Sequence, residues 1–367
     1  VIKLRHGQGG QYDYVPNEVI VKFKDSSNVK VQTTKKGLFR TSAVSTVDKV
    51  LQTIGISEAE QLMPLSGGKK LRKGAPAKSP TGQVIPESDL SKLYLFRIDP
   101  MKQMSVEAAI KQLLVMEEVE FAEPNYRVYA LVEEAPEHDH EHNDPLKGDQ
   151  YGHDAINLPE LWVAPIINEE RPVIAIIDTG VDTEHPDLAA NIWTNPSESD
   201  GSEYEDDDSN GFVDDLHGWD FVAKTPMMND PNGHGTHCAG IAAAVGGNSI
   251  GITGANPDAL IMPIRVIEPD GVGSTSVIIQ GIDYATANGA DVISMSIGGT
   301  NSVALYSALQ KAYQNAIIVA AAGNNGLSIY RPNSTGGGLI FPAAYDIVLG
   351  VQASREEVMI TYPGFRA

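Results

Sequence analysis

From Arg171 onward, short apolar runs that read as buried strands alternate with segments of helical spacing, and this alternation constrains the fold more than any other feature of the 367 residues. The runs are VIAIID at 173–178, LIMPIRV at 260–266, DVISMS at 291–296 and AIIVAAAG at 316–323. Between them lie a small-residue helix from His234, a helix over about 276–288 and another over about 303–313. Continuous apolar strands joined through helices predict a parallel sheet covered on both faces, a doubly wound α/β architecture. Ligands of such sheets sit beyond the carboxyl ends of the strands. Asp178 and the residues after Val319 fall at such ends.

The first third follows another pattern. EVIVKFK at 18–24, LYLFRI at 93–98 and YRVYALV at 126–132 read as strands, and the segment opening at Ser105 places Val106, Ala109, Ile110, Leu113 and Leu114 at helical spacing. With a second helix over about 43–53, this predicts a small α+β domain over 1–132, carrying an insertion near 56–90 whose Gly-, Pro- and Lys-rich part, from Ser66 to Pro86, is expected to be exposed. Residues 133–145 (EEAPEHDHEHNDP, from Glu133) are acidic, His-rich and aperiodic, so they read as a linker. His138, His140 and His142 have ligand chemistry for a transition metal, but alternating histidines in a polar segment are equally explained by solvation. The second domain is expected over 146–367.

Residues 1–132 hold 19 Lys and Arg against 14 Asp and Glu, and the remainder 8 against 34, within a formal net charge of -21. The imbalance argues against nucleic acid as a partner of the larger part and favours docking of a basic module on an acidic one. No apolar run is long enough to span a membrane. The single cysteine, Cys238, excludes an internal disulfide framework. The first residues lack the apolar core of a secretory leader, so a chain beginning at Val1 is expected to have lost one.

The chemistry concentrates in two motifs. Asp178 ends a strand in AIIDTGVD and His234 stands in NGHGTHCAG, where Gly233, Gly235, Ala239 and Gly240 permit close helix packing. A buried Asp can hold one imidazole nitrogen by a hydrogen bond, fixing the tautomer and leaving the other nitrogen to take a proton from a nucleophile.

These motifs resemble those of the subtilisin-like serine proteases, the subtilases, over nearly the whole chain. The resemblance implies that Asp178 orients His234, the general base and then acid, and that Asn324 in AAAGNNG supplies an oxyanion donor. It implies that Ser296, Ile297 and Gly298 pair with substrate backbone, while Ala320, Ala321 and Gly323 line the opposite wall of the primary specificity pocket. It identifies the first domain as an inhibitory propeptide whose closest match is VEFAEPNYRVYAL, with maturation cleavage between Tyr129 and Asn143. A secreted, monomeric endopeptidase acting on protein or peptide substrates is the expectation. Calcium is the implied cofactor. Asp206, Asp208 and Asn210 alternate before Gly211, followed by Asp214 and Asp215, as in loops that present oxygen to hard cations. A second set, implied by the resemblance alone, is Asp144, Asp187 and Asn248 with the carbonyls of Ile250 and Ile252. Cys238, four residues after His234, is expected beneath the site as in the thiol-containing branch, a packed residue through which mercurials would act.

One member of the triad is missing. No serine after His234 stands in Gly-Thr-Ser, and the chain departs from the family pattern near VLGVQASREEVMITYPGFRA, so it reads as a C-terminally incomplete zymogen without its nucleophile. Two other readings are a noncatalytic protein that captures peptides or proteases, and an aspartic protease built on the Asp-Thr-Gly of 178–180. The latter needs two carboxylates sharing a proton, and no second Asp-Thr-Gly exists here.

Overall fold

The computed structural model describes residues 14–32, 40–42, 45–65, 78, 84–85, 89–130, 144–158, 162, 170–199, 201–324 and 340–352. Two sheets organise them. The first is antiparallel, and its order β6-β1-β5-β4 comes from β1 (Tyr14–Phe23), β4 (Ile56–Gln61), β5 (Leu93–Ile98) and β6 (Val119–Ala130). A separate hairpin joins β2 (Lys30–Gln32) and β3 (Arg40–Ser42). Helices α1 (Ser45–Ile54) and α2 (Val106–Leu114) share one face of the sheet, packing Leu51, Ile54, Ala109 and Leu113 against Val19, Val21, Phe23 and Phe96. Ser105 starts α2 by accepting from the Ala108 amide, an N-cap that satisfies an otherwise orphaned donor.

Most of the expected exposed insertion lies outside the described residues. Of those described, Lys78 and Val84 are exposed as expected, whereas Ile85, like Leu90 beyond it, is buried with Leu62 and Met63 in a seam shared with the second module. The strand expected at 126–132 begins earlier, at Val119. Glu120, Glu123 and Pro124 disguise its first half, which pairing with β1 nonetheless recruits.

The second sheet is wholly parallel, in the order β14-β13-β11-β7-β9-β8. It is formed by β7 (Val173–Asp178), β8 (Trp219–Asp220), β9 (Leu260–Arg265), β11 (Val292–Met295), β13 (Ile317–Ala321) and β14 (Leu349–Val351). After the short α3 (Tyr151–Ala155), its helices are α4 (His234–Ala243), α5 (Thr275–Ala287) and α6 (Val303–Ala312). From β7 the chain lays strands first on one side and then on the other, so the strand order reverses beside Asp178. Such a switch point opens a crevice at the strand ends.

The modules are joined by residues of β6. The Glu123 carboxylate accepts from the Ser302 hydroxyl and the Val303 and Ala304 amides, capping α6, and Asn125 accepts from the Ser276 amide in the first turn of α5. Helix N-termini hold a partial positive charge and unpaired amides, so a buried carboxylate is well placed there. Ile20, Leu93 and Leu95 continue the same seam into one core with Ile278, Ile279 and Ile282. The expected docking of the two modules thus runs through caps and apolar contact, while the ion pairs of Lys22 and Arg97 stay inside the first module.

Candidate active site

Asp178 is the last residue of β7 and His234 the first of α4, and their side chains meet with His234 Nδ1 2.6 Å from Asp178 Oδ1. Both are buried, at 1% and 8% exposure. The Thr179 amide donates to the same Oδ1, while Oδ2 is buried without a hydrogen-bond partner. The close approach depends on glycine. A Cβ on Gly235 would stand 2.0 Å from the Gly180 carbonyl oxygen and 3.1 Å from Asp178 Cβ.

Asp230, which the sequence reading did not single out, fixes the entry to α4. Its carboxylate accepts from the Gly233 and Thr236 amides and from the hydroxyls of Thr179 and Thr236. Thr179 Oγ1 in turn accepts from the Gly235 amide, so one network ties the Asp178 turn to the His234 helix. Burial works against the Asp230 charge, but these donors prevail and hold its carboxyl below the usual range. The signal for it was local: Asp230 stands three and six residues before Gly233 and Thr236, the reach of a turn-capping carboxylate.

Burial alone would disfavour the His234 imidazolium, but the hydrogen bond to Asp178, with lesser contributions from Cys238 and the Asp178 charge, pushes the imidazole up to about 11. The pair therefore favours the ring after it has taken a proton, which is what a general base needs of its orienting carboxylate. Cys238, half-buried one turn along α4, places Sγ 4.0 Å from Nδ1 and 3.9 Å from Nε2.

Two short strands of the second module, β10 (Val272–Ser274) and β12 (Ile297–Gly299), flank the end of β6. Arg127, Val128 and Tyr129 run antiparallel to Ser274, Gly273 and Val272, while Val128, Tyr129 and Ala130 run antiparallel to Gly299, Gly298 and Ile297. Val128 is 1% exposed, with Gly273 and Gly299 on its two sides. Ile297 and Gly298 thus lie in a backbone ladder, and Ser296 immediately precedes it. Ala320 pairs with Met295, and Ala321 and Gly323 follow on the same edge. Ile176, Ser294 and Val319 stand level across the sheet, so Asp178 lies two residues beyond that level and the exposed Asn324 five.

The acidic loop is assembled differently from the expectation. Asp208 and Asp215 converge with Glu198, their oxygens within 4.8 Å of one another, and Asn210 donates to both aspartates. Asp206 instead closes a turn onto the Asn210 and Gly211 amides, and Asp214 accepts from the Tyr204 amide. Glu198 was missed because it lies upstream of the motif. Burial, then Asp215, raises the Glu198 carboxyl; burial outweighs the donors around Asp215 and raises that one too. Uncompensated negative charge of this kind fits a hard cation. At the second expected set, Asp144 accepts from the Gly247 and Ser249 amides, and Asp187 from the Asn248 side chain and the Ile252 amide. Two buried carboxylates therefore flank the 247–252 loop, with Ile250 donating its amide to Asn248 Oδ1.

A model of the subtilase family matches residues 169–362. The chain belongs to the subtilase family. It is 38% identical to thermitase of Thermoactinomyces vulgaris over 215 residues, 58% of this chain and 65% of that one. With a thermophilic serine proteinase of a Bacillus species the identity is 30% over 355 residues, 96% of this chain and 67% of that one. The fold is also that of fervidolysin from Fervidobacterium pennivorans, at a TM-score of 0.53 and 21% identity, covering 88% of this chain and 41% of that one. This subtilase chain thus spans about two thirds of the lengths of the two sequence relatives.

Proposed function

We propose that residues 1–367 form the larger part of a secreted serine endopeptidase precursor, in which residues 1–132 act as propeptide and the end of β6 occupies the substrate cleft. Pairing of Arg127–Ala130 with strands on both sides carries this reading, because a substrate peptide would form the same backbone ladder. In this role Asp178 holds the Nδ1 side of His234, and Nε2 takes the proton of a nucleophile and returns it to the leaving amine. Asn324 supplies an amide to the developing oxyanion. Ser296, Ile297 and Gly298 hold one side of the peptide, and Ala320, Ala321 and Gly323, small residues all, leave room for a sizeable side chain.

The 367 residues contain no Gly-Thr-Ser, so the pair has no nucleophile among them and this stretch alone is inert as a hydrolase. Calcium belongs to the reading: Glu198, Asp208, Asn210 and Asp215 would hold one ion and Asp144, Asp187 and Asn248 another, each neutralising charge and stiffening a loop. Calcium-organised loops suit an extracellular setting, where weak sites are filled. No helix among the described residues is long and apolar enough to cross a membrane. Treatment of the 367-residue chain with a fluorophosphonate probe tests the assignment. No labelling is expected, and a labelled serine would show that these residues carry a different nucleophile.

A further inference from the structure

We propose that the cavity between Lys147, Trp162 and Arg171 binds a small organic carboxylate. It has a volume of about 590 Å³, with Val245, Thr253 and Pro257 among its walls. Lys147 is only 8% exposed, and among the described residues its ammonium makes no hydrogen bond or ion pair; it lies over the face of Trp162, 4.7 Å from the ring centroid. An aromatic face attracts a cation but carries no net charge and takes the place of no counter-ion, so a buried positive charge is left uncompensated. Asp154 and Asp144 attract it from beyond ion-pair distance.

The surroundings select a single negative charge with an apolar body. Arg171, exposed at the rim, donates from Nε and Nη2 to the Asp258 and Ala259 carbonyls and to Asn191 Oδ1, which leaves Nη1 to face a ligand. The carbonyls at the end of α4 would repel an anion, but those of Ala242, Ala243 and Ala244 already accept from the Asn256 amide, the Asn191 side chain and the Gly254 amide. Asp144, also in the wall, has both oxygens engaged, by the Gly247 and Ser249 amides and the Thr253 hydroxyl. A phosphate dianion would exceed the one unpaired charge of Lys147 and meet Asp144 and Asp258 in the lining. Val245 and Pro257 offer apolar contact to the body of the ligand. Trp162 is fixed for its part: His153 packs edge-on against it, and Nε1 donates to the Ala255 carbonyl. The cavity lies past the last residue of α4, whose first is His234, so a bound carboxylate braces the loop after that helix without touching the catalytic pair.

The test titrates the whole chain with benzoate, in excess calcium and at fixed ionic strength, and reads both the heat of binding and the thermal midpoint. Expected are one saturable equivalent, a midpoint that rises with benzoate as binding to the folded state alone requires, and no response to benzamide, its neutral isostere. Lys147→Met, of similar length and uncharged, should weaken benzoate about tenfold or more while leaving the ligand-free chain no less stable, since it removes an unpaired buried charge. Arg171→Gln should weaken benzoate with Lys147 intact. Absence of saturation would overturn the proposal, because water alone then solvates the ammonium. So would an equal response to benzamide, tighter binding of inorganic phosphate than of benzoate, or affinity unchanged by Lys147→Met. A Lys147→Met chain that is less stable or does not fold would also overturn it, since the ammonium would then be holding the fold. None of these readouts needs a nucleophile, so the proposal and the protease assignment fail separately.

Discussion

At the scale of single residues, the site is a carboxylate and an imidazole forced together by a strand end, a helix start and a glycine between them. Because the folded state raises the His234 imidazole to about 11, its contribution to stability is complete below the ordinary histidine value near 6.5 and is lost as pH climbs between the two. Titration of His234 by NMR should show a transition raised above the ordinary histidine value, and Asp178→Asn should bring it down; an unperturbed transition in the parent chain would contradict the geometry. Asp230 works with the opposite sign. Its lowered carboxyl contributes stability above about 4 and loses it on acidification. Asp230→Ala strands the donors of Gly233 and Thr236 and should cost about 2–3 kcal/mol by denaturant unfolding. Asp178 and His234 were legible as motifs because strand-end and helix-start chemistry leaves a local signature. Asp230 was not read, since a carboxylate that only caps a turn has no chemistry of its own to announce.

Elements were legible where burial is uniform. β7, β9, β11 and β13 appear within a residue or two of the apolar runs, since a parallel strand covered on both faces needs continuous apolar sequence. β6 was harder. Its first half alternates apolar residues with Glu120 and Glu123, and the latter faces a helix start in the other module, a tertiary fact that no local pattern contains. The acidic loop was legible in part: alternating carboxylates pointed to Asp208 and Asp215, but Glu198, which converges on them, arrives from another turn, while Asp206 and Asp214 accept from loop amides. Two predictions belong here. Gly235→Ala drives a methyl into the Gly180 carbonyl and should cost about 1–3 kcal/mol while separating Asp178 from His234, seen as loss of the raised His234 transition. Glu123→Gln keeps the shape of the α6 cap but removes its charge, and should cost about 1–2 kcal/mol in thermal unfolding.

Over the whole molecule, two modules share one core, and β6 of the first also pairs with the short strands β10 and β12 of the second. The opposite charges of the two parts suggested docking, yet the contacts on the seam include two helix caps, the two ladders of β6, hydrogen bonds of Leu65 to Asp283 and Gln280 to Glu60, and apolar packing around Leu62, Met63, Ile278 and Ile282, none of them an ion pair that salt would screen. One strand thus carries both caps, at Glu123 and Asn125, and the ladder of Arg127–Ala130 between β10 and β12. The most direct test is amide hydrogen exchange on the full chain and on Val128→Pro, which puts a residue with no backbone donor and a fixed φ where β6 pairs with both strands. The account predicts slow exchange at the Gly273 and Gly298 amides, which face β6, in the parent and fast exchange at both in the variant, with β7 and β11 unchanged. Fast exchange at both strands in the parent, or protection that survives Val128→Pro, would contradict it.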